Sequence, residues 1–173
     1  MRILPLKNQA SLTWFSESKK PLGLLSPETF PLPTLSPILK ELANELHNGR
    51  GFFVLRTIPV EKYSEIENNI IYAGVSSYIG RLRAVQDVPN TVLAHIADLT
   101  ATVPLKAIGA PAYTADKQVY HTDIGDIIAL YVLQNAAEGG ISRISSSWKV
   151  YNEIAETRPD LIKTLSEPWP TDG

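Results

Sequence analysis

Two residues near the middle of the chain have the types and the spacing of a metal anchor, His121 and Asp123. Positions i and i+2 of a β-strand point to the same face, so the spacing predicts an imidazole nitrogen and a carboxylate oxygen side by side. One imidazole and one carboxylate are two of the three ligands of the facial triad that holds non-haem Fe(II). A capping or hydrogen-bonded pair is the alternative, and the spacing alone leaves both interpretations open.

The residues after this pair predict two strands. The run 126–133 (DIIALYVL) is nearly all apolar and rich in strand formers, which is typical of a strand buried on both faces. Gly139 and Gly140 then turn the chain, and residues 141–145 are expected to return as a strand. Shorter strands are predicted elsewhere, at 12–15, 51–55, 84–85 and 91–96.

Three amphipathic helices are predicted from apolar residues at helical spacing. The first, over 37–47, has Ser36 as N-cap and Pro37 at its first position. Its apolar stripe, expected to pack against the sheet, is Ile38, Leu39, Leu42 and Leu46. The second lies within 62–78. It has Ser64 as its candidate N-cap and carries the stripe Ile66, Ile70, Ala73 and Ser77. The third covers 147–155, and Pro159 lies after it or begins the next helix.

Composition limits the class of protein, its expected partners and the residues that could hold a metal. The 173 residues are 44% hydrophobic and 20% charged, as in one ordinary globular domain. Sixteen basic and eighteen acidic residues are spread along the chain, so neither nucleic acid nor a membrane is expected as a partner. Without cysteine, any metal must be held by His, Asp and Glu. No apolar run approaches a membrane span, and we expect a cytoplasmic protein.

Several separate blocks of the sequence, in order, resemble the TauD/TfdA-like family of Fe(II)/2-oxoglutarate-dependent dioxygenases, especially its fungal members. The resemblance covers roughly residues 36–170. The principal blocks are 120–123 (YHTD), 125–127 (GDI), 136–142 (AAEGGIS), 150–153 (VYNE) and 158–161 (RPDL), and shorter pieces lie at 49–52, 79–80, 86–87 and 95–96.

This resemblance implies a fold and a function. The implied fold is α+β, a partial double-stranded β-helix of the jelly-roll, clavaminate synthase-like type with flanking helices. The five prolines of residues 1–34 separately predict an irregular, proline-rich lead-in. Residues 35–173 are then the front portion of the oxygenase domain. The implied cofactors are Fe(II), held by His121 and Asp123, and 2-oxoglutarate as co-substrate, contacted by Ser142. The implied activity is hydroxylation of a small organic substrate, in fungal secondary metabolism.

The sequence departs from the family in the distal part of the site. Relatives carry a second iron-ligating histidine on a late strand and an arginine that pairs with 2-oxoglutarate. No histidine follows Asp123, and Arg143 and Arg158 lie too early to match that arginine. The chain is therefore expected to be an incomplete oxygenase domain that binds iron weakly. The alternative is a truncated non-catalytic remnant or a binding partner of the same fold.

One further expectation depends on this incompleteness, and two others concern residues before the His–Asp pair. An unfinished sheet leaves an open edge, which predicts self-association. His95 is expected to be a satisfied core histidine rather than a third ligand. Gln86 lines the mouth of the active site or is buried against the backbone.

Overall fold

The computed structural model describes residues 9–18, 20–56, 58–86 and 91–170. The chain divides into two compact units, Met1–Leu133 and Gln134–Gly173. Across the described ranges, no helix has both the length and the apolar character needed to cross a membrane.

The described part of the first unit contains three α-helices: α1 is Gln9–Ser18, α2 is Ser36–Asn48 and α3 is Glu65–Ser76. Single 3-10 turns lie at Leu22–Leu24, Val60–Lys62, Leu105–Ala107 and Pro111–Tyr113. The helices predicted at 37–47 and 62–78 are thus confirmed as α2 and α3, with α3 shorter at both ends than its prediction.

The core of the first unit is one apolar cluster centred on α3. The buried members come from all three helices and from the segment between α1 and α2, and they are Leu12, Phe15, Leu25, Phe30, Leu32, Leu35, Leu39, Ile70, Ile71, Ala73 and Val75. Phe30 packs so closely on α3 that a Cβ at Gly74 would collide with its ring. Only glycine allows this approach.

The segment before α2 is held to α3 by hydrogen bonds as well as by packing. The Arg83 guanidinium donates to the carbonyl oxygens of Gly23 at 3.0 Å, Leu25 at 2.8 Å and Ala73 at 3.0 Å. One side chain therefore satisfies carbonyls of the proline-rich segment and of the last turn of α3.

The two predicted helix starts have different outcomes. Ser64 caps α3 as predicted, in a reciprocal capping box with Glu67. For α2, Ser36 is instead the first helical residue, Leu35 occupies the cap position, and no side chain caps the helix. Proline at the start of the helix supplies no amide hydrogen, which leaves one fewer donor for a cap to satisfy.

The apolar stripes of the two helices agree with the prediction except at Ile66. In α2, Leu39 is buried, Ile38 and Leu42 pack against the cluster, and Leu46 is half-buried. In α3, Ile70 and Ala73 are buried, as is Ser77 directly after the helix, whereas Ile66 is 61% exposed. The stripe of α2 packs on helices and loop, so its predicted contact with a sheet is not observed in the described chain.

The strand predictions are wrong within the described residues, which contain no strand. Residues 12–15 lie in α1, because the stretch between Pro5 and Pro21 holds no proline that would prevent a helix. Residues 51–55, 84–85, 91–96, 126–133 and 141–145 have no regular secondary structure. A strand requires a partner that completes its hydrogen-bond ladder, and no described segment pairs with these runs. The partial β-helix remains a prediction.

The second unit contains α4, Ser147–Thr157, and α5, Asp160–Leu165. Ser146 caps α4 by accepting from the amide of Lys149 at 3.4 Å. Pro159 begins the next helix, as its N-cap residue. Gly139 and Gly140 both adopt left-handed conformations, with φ of 71° and 65°, which explains the glycine pair at this turn.

Candidate metal centre

His121 and Asp123 lie on an irregular stretch of the first unit, with their side-chain tips together. His121 Nε2 is 3.8 Å from Asp123 Oδ1, and the side chains are 53% and 58% exposed. Two neighbouring ligands of a facial triad, each about 2.0–2.2 Å from the ion, lie about 3 Å apart, so the observed separation would have to shorten for both atoms to bind one ion in that way. The pair is brought together although the strand predicted to carry it is not there.

The second ring nitrogen of His121 fixes which nitrogen is available to a metal. His121 Nδ1 lies 2.7 Å from the carbonyl oxygen of Val119. A carbonyl only accepts, so Nδ1 carries the hydrogen, and in the neutral imidazole Nε2 then presents a lone pair. Metal-ligating histidines almost always have such a partner on the other nitrogen, because it sets the tautomer and the ring orientation.

The geometry bears on the hydrogen-bonded alternative to a metal site. At 3.8 Å, Nε2 and Oδ1 are too far apart for a hydrogen bond, so the pair is not held by one. With Nδ1 committed to Val119, a neutral His121 directs a lone pair towards a carboxylate oxygen. Both atoms are then acceptors, so a divalent cation between them would interact favourably with each.

A third protein ligand does not join the pair within the described ranges, where no group of three or more His, Cys, Asp or Glu side chains is placed to hold a metal. His95 is exposed, so its expected place in the core is wrong. Gln86 is also exposed, and its backbone amide donates to the carbonyl of Thr91 at 2.8 Å. Its predicted burial against the backbone is therefore wrong as well.

Ser142 lies in the second unit, two residues after the left-handed glycine pair. It is exposed. A Cβ at Gly140 would stand 2.8 Å from the Cβ of Ala136, so glycine is required here by both space and backbone conformation. The glycine pair thus fixes the turn that precedes Ser142.

The stretch that carries the His–Asp pair is tied to α3 by residues that the sequence analysis missed. The Tyr131 hydroxyl donates to Asn68 Oδ1 at 2.9 Å, and the Tyr72 hydroxyl donates to the carbonyl of Ala129 at 2.5 Å. The rings of Tyr72 and Tyr131 stack, with centroids 5.2 Å apart and planes 9° from parallel. Asn68 and Tyr72 are four apart on one helix face, and this spacing was the available signal.

These features define a His-x-Asp pair whose imidazole is oriented by a backbone carbonyl and whose side-chain tips lie 3.8 Å apart. The chain belongs to the family described as taurine catabolism dioxygenase TauD, TfdA family, whose family model matches residues 18–172. The predicted resemblance is therefore confirmed. The family implies a jelly-roll fold and a dioxygenase type of enzyme.

Two curated relatives match over part of their length. The chain is 43% identical over 169 residues to the taurine hydroxylase-like protein SAT17 of Stachybotrys chartarum, covering 95% of this chain and 44% of that protein. It is 24% identical over 138 residues to FR-33289 synthase of Streptomyces rubellomurinus, covering 80% of this chain and 40% of that protein. The chain thus spans less than half the length of these relatives. No solved structure matches it.

Proposed function

We propose that this chain provides the His-x-Asp part of the iron site of a 2-oxoglutarate-dependent oxygenase that hydroxylates a small organic substrate. The observation that carries the proposal is the 3.8 Å approach of His121 Nε2 to Asp123 Oδ1, with Nδ1 bonded to Val119. Membership of a dioxygenase family supports the type of reaction. The resemblance to fungal members supports a role in fungal secondary metabolism.

Each proposed site residue has a distinct role. His121 offers its Nε2 lone pair, and Val119 keeps that nitrogen free of hydrogen and holds the ring in place. Asp123 offers a carboxylate oxygen, whose negative charge offsets that of a divalent cation. Ser142 carries a hydroxyl that donates to a carboxylate of 2-oxoglutarate. When bound, Fe(II) and 2-oxoglutarate would activate dioxygen, which would couple the oxidative decarboxylation of 2-oxoglutarate to succinate and CO₂ to hydroxylation of the substrate.

The donor set is incomplete within the part of the chain that the structure describes. Two protein ligands hold a metal less firmly than the three of a facial triad. We therefore propose that turnover requires a further histidine and an arginine from polypeptide outside these 173 residues. The alternative proposal, a non-catalytic remnant or binding partner, is favoured by the same missing third ligand.

We also propose that the isolated chain self-associates. The described part of 119–133 exposes large apolar side chains, with Ile124 100% and Leu130 78% exposed. Apolar side chains exposed together along one stretch are typical of an interaction surface.

The first test measures iron binding and turnover separately. The purified chain is titrated anaerobically with Fe(II), and succinate release is then measured with Fe(II), ascorbate and 2-oxoglutarate. We expect weak Fe(II) binding that is lost in His121→Ala and in Asp123→Ala, with little succinate from this chain alone. His95→Ala is the matched control, since it removes another exposed imidazole.

The outcomes distinguish the parts of the proposal. Equal Fe(II) affinity in His121→Ala and the unsubstituted chain would show that the metal centre is wrongly assigned. Robust turnover by the chain alone, abolished by His121→Ala, would overturn the incomplete donor set. Fe(II) binding without turnover, even when the distal part of a full-length relative is supplied, would favour the non-catalytic alternative.

A further inference from the structure

The side chain of Asn68 makes several hydrogen bonds near the start of α3. Its side chain is buried, and Nδ2 lies 3.0 Å from the carbonyl oxygen of Val60, 3.0 Å from that of Tyr63 and 3.1 Å from that of Ser64. Three acceptors around one end of the amide require that end to be the NH₂ group. Oδ1 therefore points the other way, with a lone pair available to a donor.

Tyr131 supplies that donor. Its hydroxyl reaches Asn68 Oδ1 at 2.9 Å, and burial raises the pKa of this phenol to about 12, so it remains a donor through neutral pH. Without this partner, the oxygen of the buried Asn68 amide would lose its hydrogen bond, which costs free energy. The contact therefore favours one position of residue 131 on α3.

Tyr72 holds the same segment at a second point. Its ring stacks on that of Tyr131, and its hydroxyl donates to the carbonyl of Ala129. One contact is to a side chain and the other to the backbone two residues earlier, so the segment is held in register as well as in place. These two bonds are the hydrogen bonds that join the described stretch 119–133 to α3.

The segment so held follows the metal pair closely, since Ala129 is six residues after Asp123. We propose that Asn68, Tyr72 and Tyr131 form a positioning clamp, which holds the stretch bearing His121 and Asp123 on the rigid surface of α3. The clamp residues do not contact the metal; they act by limiting where the pair can lie. This inference rests on the proposed function for its consequence but not for its geometry.

Tyr131→Phe is the direct test, because it removes the hydroxyl and keeps the stacked ring. Tyr151→Phe is the matched control, since it removes the hydroxyl of a 50% exposed tyrosine in the second unit. We measure amide hydrogen exchange over 119–133, the imidazole nitrogen spectrum of His121, and Fe(II) affinity. The first two readouts need no metal.

The clamp predicts faster exchange across 127–131 and an altered His121 imidazole spectrum in Tyr131→Phe, with neither change in Tyr151→Phe. It also predicts Fe(II) affinity reduced about threefold to tenfold, at or below the lower end of the loss seen when a group supporting a metal ligand is removed. Tyr72→Phe, which removes the bond to Ala129, is expected to act in the same direction.

Other results would overturn the inference. Exchange and imidazole spectra that are the same in Tyr131→Phe and Tyr151→Phe would show that the clamp does not hold the segment. Faster exchange with unchanged Fe(II) affinity would show that it does not position the metal pair. Absence of Fe(II) binding by the unsubstituted chain would contradict the proposed function, while the two metal-free readouts would still decide whether the clamp acts on His121.

Discussion

The α3-centred cluster and the stretch 119–133 use the same kinds of apolar residue in opposite ways. Ile71 is fully buried at 0% exposure, whereas Ile124 is 100% exposed. Both are isoleucines of the first unit, but only one lies where helices and loop close around it. The difference indicates that stability is concentrated in the helical cluster and that the candidate metal centre lies on a segment contributing little to it.

The largest expected effect is on the free energy of unfolding when the same substitution is made in both regions. Ile71→Ala is expected to cost about 2–5 kcal/mol, through lost burial and the cavity left behind. Ile124→Ala is expected to change it by less than about 0.5 kcal/mol, as for other exposed positions. Urea denaturation followed by circular dichroism measures both. Equal losses of unfolding free energy in the two variants would contradict the conclusion that stability is concentrated in the helical cluster.

A smaller effect is expected at Tyr131, where the two regions meet. Burial, and secondarily the charge of Tyr63, raises the Tyr131 pKa from 10.0 to about 12. Between these values the unfolded chain has lost this proton and the folded chain retains it, so stability present below pH 10 falls as the pH rises to about 12. Denaturation at pH 9 and 11.5 measures the loss. We expect Tyr131→Phe to reduce it, and an equal loss in that variant would show that Tyr131 is not its source.

The smallest expected effect on stability comes from making the exposed stretch polar. The double variant Ile124→Asn and Leu130→Gln is expected to change the free energy of unfolding by less than about 0.5 kcal/mol. It should nevertheless shift sedimentation towards the monomer, because it removes the apolar side chains proposed to self-associate. Unchanged sedimentation would locate self-association elsewhere.

Local patterns in the sequence predicted the helices well. Helical spacing located α2 and α3, and Ser64 marked the start of α3 because a cap depends only on residues within one turn. Residues 12–15 were wrongly predicted as a strand. No proline lies between Pro5 and Pro21, so nothing in this stretch prevents the helix that forms there. The runs 126–133 and 141–145 have strand composition, but strand formation depends on a pairing partner that composition does not supply.

The candidate site shows the same contrast between local features and features that depend on a distant residue. The spacing of His121 and Asp123 predicted neighbouring side chains through strand alternation, whereas their tips lie 3.8 Å apart on a stretch without a strand. The contact of Tyr131 with Asn68 joins residues 63 positions apart, and a tyrosine in an apolar run is expected simply to be core. Long-range polar contacts of this kind depend on which buried oxygen is left without a donor, and that is decided only once the helix has folded.

The packing of Phe30 on Gly74 has a consequence for how the family's sequences can diverge. Any side chain at position 74 would occupy the space of the Phe30 ring, so a larger residue there is tolerated only if position 30 becomes smaller. The two sites, far apart along the chain, are therefore expected to change together among relatives that share this core. Such paired replacement would appear as covariation of positions 30 and 74 in the sequences of relatives.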